Sequence, residues 1–515
     1  MKPTGPERQS NINCIAMAII VVLILASCTS KPKLIGPVVK TQSGLVQGVA
    51  NENGTVIAFK GIPYAAPPVG GLRWKEPQPP LSWEGIRDAG EFCASCMQIL
   101  RYSHLPGGPW TEEFMVLNEV SEDCLFLNIW TPAKKATDKL ATLVYIHGGG
   151  FTEGSGAIDV YDGEELAKKG IIVITINYRM GVLGFLAHPE LTAESPNNAS
   201  GNYGILDQVA ALRWISDNIA AFGGDPGRVT IAGQSAGAMS VRALIASPLA
   251  KGLFSGAITQ SGSGYMGSGN ATRLSDAEAN GLKFAEAKRA SSLAELRAMP
   301  AEDILAQAPD QRGIRFGTVV DNYCITGDYM SVFETGEQND TPFMTGLNEG
   351  EVRYGGEITD EFYVLYPLSP DRDTLTGITI AAQERSRLNA FLWMEYRSKT
   401  SKTNGYIYYF TRAIPWPEYP QFGAFHTGEV PYVFNNLKML DRPWTAVDSL
   451  VADRMSSYWV NFVNNGDPNG AGLLQWKLFN SNEKVVMELG EKMGMIPVAA
   501  TEERYEFLRK QIVGN

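Results

Sequence analysis

Histidine is scarce in this sequence, because the 515 residues contain only four, at positions 104, 147, 188 and 426. Positive charge is also in short supply, with 44 Lys and Arg against 55 Asp and Glu. The resulting net charge of −11 argues against a nucleic-acid backbone as the partner. The sequence has no internal repeat and no long low-complexity segment. Its hydrophobic content of 44% is that of an ordinary globular protein.

The N-terminus has the features of a targeting signal. Lys2 and Arg8 precede an apolar run, Ile15–Ala26, that is too short to span a bilayer comfortably and suits the core of a signal peptide. The run ends in Leu25-Ala26-Ser27-Cys28, which resembles the lipobox of bacterial lipoproteins. That resemblance implies cleavage before Cys28 and acylation of its thiol.

We therefore predict a signal peptide over residues 1–27, a lipidated tether over 28–34 and one folded domain over 35–515. The protein would face an extracytoplasmic space, on the periplasmic side or the cell surface, and would touch the membrane only through its lipid anchor. The alternative is a secreted protein, in which Ala26 and Ser27 are merely the small residues of a cleavage site.

The stretch around Ser235 predicts a strand that runs into a Gly-x-Ser-x-Gly turn. Val229–Ala232 is short, apolar and β-branched, as expected of a parallel strand buried on both faces. Gly233 and Gly237 leave room for a strained backbone at Ser235. Such a turn exposes the serine hydroxyl and places the Ala236 N–H at a helix N-terminus, where an oxyanion can bind. The alternative is a glycine-rich turn with an incidental serine.

Strands and helices alternate along most of the chain, which predicts a parallel α/β sheet. The predicted strands are 41–49, 55–59, 141–146, 171–176, 229–232, 256–260, 342–347 and 406–410. The predicted helices are 206–222, 236–247, 276–307, 378–399 and 448–465, of which 276–307 would form a helical cap over the site. No linker long enough to separate two domains occurs.

The strand at 141–146 opens into His147-Gly148-Gly149-Gly150-Phe151. Consecutive glycines let a backbone approach a substrate oxygen closely and point N–H groups at it. The pattern resembles the HGGG-type oxyanion loop of esterases. The alternative is a flexible glycine turn.

A serine nucleophile needs a histidine to take its proton and a carboxylate to orient that histidine. In folds that carry the nucleophile on such a strand-to-helix turn, the catalytic residues occur along the chain in the order serine, acid, histidine. Only one histidine, His426, follows Ser235. The alternative for His426 is a buried structural histidine. The acid should follow the strand at 342–347, where both Glu349 and Glu351 occur.

Several of these segments resemble type-B carboxylesterases, the cholinesterase-like branch of the α/β-hydrolases. They are the proline-rich segment 59–68, Ser121–Trp130, the glycine loop, the Ser235 turn and the His426 loop, and the resemblance covers nearly all of residues 35–515. It implies an α/β-hydrolase fold with a large, mostly parallel central sheet flanked by helices. It also implies a small-molecule ester as substrate, no metal and no organic cofactor.

The resemblance implies that the N–H groups of Gly149, Gly150 and Ala236 bind the oxyanion. The family pattern after the acid strand is Gly-x-Asn-x-Asp-Glu-Gly, whose Glu is catalytic. Aligned from Gly346 without a gap, that Glu falls on Glu351, whereas matching the Glu-Gly pair gives Glu349. We favour Glu351, because a gap at a strand end would move the carboxylate out of line.

Two further positions bear on the resemblance. The family commonly carries Glu before the nucleophile, but this sequence has Gln234. We therefore do not expect this protein to share the pH behaviour of the family. The resemblance places the Ser261 hydroxyl near the catalytic acid. Ser261 is followed by a Gly-x-Gly-x-x-Gly at 262–267, which we do not interpret as a dinucleotide site, because no clear βαβ unit follows with an acid ending its second strand.

The resemblance also implies a disulfide between Cys96 and Cys124, in a loop that would overhang the site. Cys93-x-x-Cys96 is the pattern of some zinc and redox sites, but it has neither a second cysteine pair nor a histidine at ligand spacing. Cys93 and Cys324 are left either free or bonded to each other. Within the loop at 102–119, His104, Trp110 and Phe114 either line an entrance to the site or pack the loop itself.

The sequence therefore predicts a serine esterase that works through an acyl-enzyme, with Ser235 as nucleophile, His426 as base and acid, and Glu351 as the orienting carboxylate. One alternative is an amide or carbamate hydrolase with the same triad. Another is a non-catalytic binding protein on the cholinesterase-like fold, although such proteins typically lack the nucleophile. The sequence makes no prediction about the oligomeric state.

Overall fold

The computed structural model of the protein describes residues 35–100, 108–265, 271–306, 313–351, 353–367 and 374–514. The predicted signal peptide, its Cys28 and His104 lie outside these ranges. The strands are Ile35–Lys40 (β1), Leu45–Ala50 (β2), Ile57–Pro63 (β3), Ile86–Asp88 (β4), Ser95–Cys96 (β5), Val120–Ser121 (β6), Phe126–Thr131 (β7), Leu140–Ile146 (β8), Ile172–Ile176 (β9), Gly224–Gln234 (β10), Gly256–Gln260 (β11), Thr272–Arg273 (β12), Val319–Val320 (β13), Phe343–Asn348 (β14), Gly405–Phe410 (β15), Val485–Leu489 (β16) and Gly494–Pro497 (β17).

The α-helices lie mainly in the connections between these strands. They are Glu164–Lys168 (α1), Gly181–Phe185 (α2), Pro189–Glu194 (α3), Tyr203–Asn218 (α4), Ala236–Ala246 (α5), Leu274–Ala287 (α6), Leu293–Ala298 (α7), Ala301–Leu305 (α8), Tyr329–Thr335 (α9), Asp360–Leu365 (α10), Thr374–Ser398 (α11), Val430–Val433 (α12), Ala446–Asn465 (α13) and Glu502–Val513 (α14). None of these described helices is both long enough and apolar enough to cross a membrane.

One large sheet organises the described residues, in the order β1-β2-β3-β7-β9-β8-β10-β11-β14-β15-β16-β17, with β4 paired to β2. The centre, from β9 to β16, is parallel throughout, whereas the pairs at both ends of that order are antiparallel. Parallel strands need covered crossover connections, so helices pack on both faces. The predicted α/β architecture with a mostly parallel central sheet is confirmed.

The central strands are predominantly apolar because both faces of the sheet are buried. On β8, Val144 and Ile146 belong to the core on one face, and Leu143 and Tyr145 belong to the core on the other. Side chains of a strand alternate between faces, so one continuous apolar run supplies both cores.

Two elements differ from the sequence predictions. Strand β10 begins at Gly224 rather than Val229, because Gly224 already pairs with Leu140 of β8 before the register shifts. The segment predicted as a helical cap, 276–307, is divided into three helices, α6 to α8. Arg289, with φ +57°, follows the first helix, and Ser292 and Pro300 are the N-terminal caps of the other two.

Candidate active site

The Ser235 turn lies where β10 ends and α5 begins. Ser235 has φ +56° and ψ −120°, a conformation that costs free energy for any residue with a side chain. The backbone on each side holds it in place: the Ser235 N–H donates to Gln260 O at 2.9 Å, and the Met239 N–H donates to Ser235 O at 3.0 Å. The strained turn predicted for this serine is therefore present.

Gly233 and Gly237 are required by close packing around this turn. A Cβ atom at Gly237 would lie 2.0 Å from the backbone oxygen of Ile146, and a Cβ at Gly233 would lie 2.4 Å from the carbonyl carbon of Gly237. Both obstacles are backbone atoms, which cannot rotate away. The sequence motif thus specifies the approach of β8 and α5 to the nucleophile turn.

The oxyanion loop, residues 147–154, follows β8 at the same edge of the sheet. Gly149 has φ +104° and Gly150 has φ +63°, in the region that favours glycine. The N–H groups of Thr152 and Glu153 donate to Gly149 O at 3.0 and 3.1 Å, so the loop closes on itself. Gly149 and Gly150 line the same cavity as Ser235, and Ala236 begins α5 directly behind it.

The histidine loop, residues 423–429, meets the acid turn that follows β14. His426 Nδ1 is hydrogen-bonded to Glu351 Oε2, and the Asn348 N–H donates to Glu351 Oε1 at 2.6 Å. Glu349 points elsewhere, because its Oε1 accepts a hydrogen bond from Gln383 Nε2 at 3.0 Å. The structure therefore brings Glu351, and not Glu349, to the imidazole.

The pKa of His426 reflects two opposing causes. Burial lowers it, but the hydrogen bond that the imidazole donates to Glu351 and the charge of that carboxylate raise it, and the net pKa is above the ordinary value of 6.5. Glu351 therefore stabilises a protonated imidazole, the state that a general base reaches after it accepts a proton.

Ser235 and His426, both of which the structure describes, line one cavity but share no hydrogen bond. The side-chain amide of Gln234 contacts the imidazole instead, with 3.2 Å between Gln234 Nε2 and His426 Nε2. Because Glu351 accepts at Nδ1, the Nε2 atom is left as the proton acceptor. Catalytic serine–histidine contacts are often long before substrate binds and tighten in the complex.

A second carboxylate lies behind the acid and was given no role by the sequence. Glu429 is fully buried and accepts hydrogen bonds from Gln260 Nε2 at 3.1 Å and from Asn348 Nδ2. Burial, followed by the charge of Glu351, raises its pKa to about 7. Its position in the histidine loop, three residues after His426, is the signal that could have identified it.

Ser261 lies beside this network without joining it through its hydroxyl. Its N–H donates to Gly346 O at 2.8 Å, but its buried Oγ has no hydrogen-bond partner among the described residues. In the following Gly-x-Gly segment, a Cβ at Gly262 would lie 2.6 Å from Ser235 O. That glycine therefore permits close packing against the nucleophile turn.

A cavity of about 350 Å³ lies over Ser235, a size in the range of small-molecule sites. Trp110 and Phe114 are in its wall, so the interpretation that they line the site holds for these two side chains. Trp110 Nε1 also donates to Thr427 Oγ1 at 2.8 Å, which ties this loop to the histidine loop. The other apolar wall residues include Ile99, Leu100, Met115, Val116, Ile158 and Tyr161.

Cys96 and Cys124 form a disulfide, as the resemblance implied. Cys93 and Cys324 are both free, so the alternative in which they bond to each other is wrong. Across the described ranges, no group of three or more His, Cys, Asp or Glu side chains is placed to hold a metal ion. The cysteine pattern at 93–96 thus contributes one half of a disulfide and one free thiol.

Comparison with known proteins places the chain among esterases. A model of the carboxylesterase family matches residues 35–366 and 380–508. The chain is 36% identical over 503 residues to a fumonisin B1 esterase from Sphingopyxis macrogoltabida, with 91% of this chain and 89% of the relative covered. It is 34% identical over 486 residues to the para-nitrobenzyl esterase of Bacillus subtilis strain 168, with 88% and 95% covered.

Solved structures agree with this placement. The chain superposes on the Geobacillus stearothermophilus carboxylesterase Est55 with a TM-score of 0.75, at 31% identity, over 92% of this chain and 99% of the other. A thermophilic PNB esterase gives a TM-score of 0.76 at 30% identity, with the same coverage. These neighbours confirm the α/β-hydrolase fold. The chain therefore belongs to the carboxylesterase family and is a hydrolase of carboxylic esters.

Proposed function

We propose that Ser235 is the nucleophile of this esterase, that His426 is its general base and acid, and that Glu351 orients the imidazole. The contact between His426 Nδ1 and Glu351 carries the proposal, because it leaves Nε2, which also contacts the Gln234 amide, as the ring nitrogen that can take a proton. His426 removes the Ser235 proton as the oxygen attacks the ester carbonyl. It then returns that proton to the leaving alcohol, and water hydrolyses the acyl-enzyme by the same route.

The negative oxygen of the tetrahedral intermediate would be bound by the N–H groups of Gly149, Gly150 and Ala236. Two of these belong to a loop that closes on its own backbone, and the third opens α5. Donors fixed before the reaction stabilise developing charge without reorganisation, which is usually the largest single contribution to such catalysis.

The walls of the cavity support a compact, uncharged ester as substrate. They are mostly apolar, and Trp110, Phe114 and Tyr161 contribute aromatic surface. An apolar wall favours apolar acyl and alcohol groups, because a charged group would lose its hydration there. We propose that the substrates are esters of an aromatic or short aliphatic alcohol. One relative is named for its action on a para-nitrobenzyl ester, which is such a compound.

The anchoring of the protein is a second part of the proposal. The lipobox resemblance at Cys28 supports a lipoprotein, and the Cys96–Cys124 disulfide is compatible with an oxidising extracytoplasmic compartment. Cys28→Ser in the full chain should abolish labelling by palmitate and move the protein from the membrane fraction to the soluble fraction. Palmitate incorporation that survives this change would refute the proposal.

The catalytic assignment is tested with protein that lacks residues 1–28. Wild-type protein should hydrolyse p-nitrophenyl acetate and react with a fluorophosphonate probe. Ser235→Ala should lose the probe reaction and at least about 10³-fold in kcat while keeping its melting temperature. The control is Ser398→Ala, which changes an exposed serine on α11 and should behave like wild type. Retained hydrolysis in Ser235→Ala would overturn the assignment.

A further inference from the structure

Gln98 makes an unusual pair of contacts with the oxyanion loop. Its side chain is 6% exposed and lies two residues after Cys96, inside the segment that the disulfide closes. Gln98 Nε2 donates to Gly154 O at 2.9 Å, and Gln98 Oε1 accepts from the Gly154 N–H at 2.8 Å. The side-chain amide thus satisfies both backbone polar groups of one residue, as a neighbouring strand would.

Gly154 is mechanically connected to the oxyanion donors. It has φ +119°, and a Cβ there would lie 2.4 Å from His147 Nδ1 and 2.6 Å from Gly148 O. The N–H groups of Thr152 and Glu153 donate to Gly149 O, which joins the end of the loop to its glycines. Little space therefore remains for Gly154 to move without moving Gly149.

The anchor of Gln98 is itself fixed. Gln98 Nε2 also donates to the backbone oxygen of Cys96 at 2.9 Å, and Cys96 is bonded to Cys124, which lies two residues before β7. The amide is therefore held at a short distance from a covalent crosslink. Gln98 also lines the cavity over Ser235, but both polar atoms of its amide are engaged with backbone and are therefore not offered to a ligand.

We propose that Gln98 is a positioning residue that sets the oxyanion loop through the backbone of Gly154. This inference rests on the proposed function, because it assumes that the N–H groups of Gly149 and Gly150 bind the oxyanion. A small displacement of those donors weakens the binding of the transition state more than the binding of the ester. The reason is that the full negative charge exists only on the tetrahedral oxygen. Loss of Gln98 should therefore lower kcat and leave KM nearly unchanged.

The test uses Gln98→Met, which keeps the side-chain volume and removes all three side-chain hydrogen bonds, and Gln98→Glu, which keeps only the acceptor for the Gly154 N–H. Each is measured for kcat and KM on p-nitrophenyl acetate and for inhibition by phenylboronic acid, which forms a tetrahedral adduct on the serine. p-Nitrobenzyl alcohol, which forms no adduct, reports on cavity binding. Gln78→Met is the control, because Gln78 is exposed and its amide donates only to Glu76 O.

We expect Gln98→Met to lose about 10- to 100-fold in kcat and to bind the boronic acid more weakly by a similar factor. Its KM and its inhibition by the alcohol should change less than about threefold, and Gln98→Glu should fall between it and wild type. Unchanged boronic acid affinity, or equal weakening of the boronic acid and the alcohol, overturns the role of Gln98. If Gln98→Met does not fold, the same comparison in Gln98→Glu decides.

These outcomes are separable from failure of the proposed function. If wild-type hydrolysis survives Ser235→Ala, the catalytic assignment is wrong, whatever Gln98 does. If Ser235→Ala is inactive and Gln98→Met retains wild-type kcat, only the positioning role is wrong.

Discussion

The oxyanion loop and the histidine loop face the same serine, but they are held by different forces. Residues 147–154 are held mainly by backbone packing, since a Cβ at Gly149 would lie 1.9 Å from Glu153 O. Residues 423–429 are held by side chains: Asn348 Nδ2 donates to Phe425 O at 2.7 Å and also to Glu429, and Trp110 donates to Thr427. The oxyanion loop is fixed by steric exclusion together with the neutral amide of Gln98, and the histidine loop is fixed by a polar network that contains ionisable groups.

The oxyanion loop and the histidine loop should therefore respond differently to mutation and to pH. Steric packing does not titrate, so the oxyanion loop should respond to added atoms and not to pH. The polar network contains Glu351, Glu429 and His426, whose charges depend on one another. The histidine loop should therefore respond to isosteric changes of charge, and it should carry the pH dependence.

The largest effect is expected from removing a charge in the polar network that holds the histidine loop. Glu351→Gln should lose about 10³- to 10⁴-fold in kcat, because the amide cannot stabilise the imidazolium or select its tautomer. Glu349→Gln is the matched control, since Glu349 is hydrogen-bonded to Gln383 and should change kcat less than about threefold. Kinetics on p-nitrophenyl acetate compare the two. A greater loss in Glu349→Gln would reverse the assignment.

The next largest effect is expected from one methyl group in the oxyanion loop. Gly149→Ala should lose about 10²- to 10³-fold in kcat, because its Cβ meets the backbone oxygen of Glu153. In Gly150→Ala the added Cβ has no neighbour nearer than Thr152 Oγ1 at 3.8 Å, so only the left-handed backbone is penalised, by about 1–2 kcal/mol. Gly150→Ala should lose at most about 5- to 30-fold in kcat. Equal losses would show that steric exclusion does not distinguish the two positions.

The smallest effect is expected in the pH dependence of stability. Because the pKa of Glu429 is raised from 4.5 to about 7, the folded state holds a proton that the unfolded state releases in that window. Stability should therefore fall as pH rises through the window, by up to about 3 kcal/mol for this group. Glu429→Gln removes that dependence, so its melting temperature should decline less than that of wild type between about pH 5 and pH 8.

The control for this slope is Glu52→Gln, which changes an exposed carboxylate. It should reproduce the wild-type pH dependence. If the melting temperatures of Glu429→Gln and wild type changed in parallel with pH, Glu429 would be ionised in the folded state throughout that pH range. The slope is the informative quantity, because the amide also leaves one donor facing the side chain of Asn348 or Gln260 and lowers stability at every pH.

Local sequence signals predicted much of the fold and the site. The strands at 141–146 and 171–176 were placed to within one residue, because continuous apolar runs report strands buried on both faces. The turn at Ser235 was equally predictable, because its two glycines are required by backbone atoms that lie only a few residues away or on the neighbouring strand. The cap was predicted as helical, but its division into three helices depends on caps at Ser292 and Pro300 that a continuous periodicity hides.

By itself, the sequence determined the alternation of strands and helices, the strained turn at Ser235 and the single histidine that follows it. These follow from backbone sterics and chain order, which are local properties. Only the tertiary structure decided between Glu349 and Glu351, left Cys93 and Cys324 unpaired, and buried Glu429 behind the acid. Each of these depends on which distant segment a side chain meets: Glu351 faces His426, 75 residues away, and Gln98 meets Gly154, 56 residues away. Sequence spacing cannot encode such distances, because the packing of the whole sheet sets them.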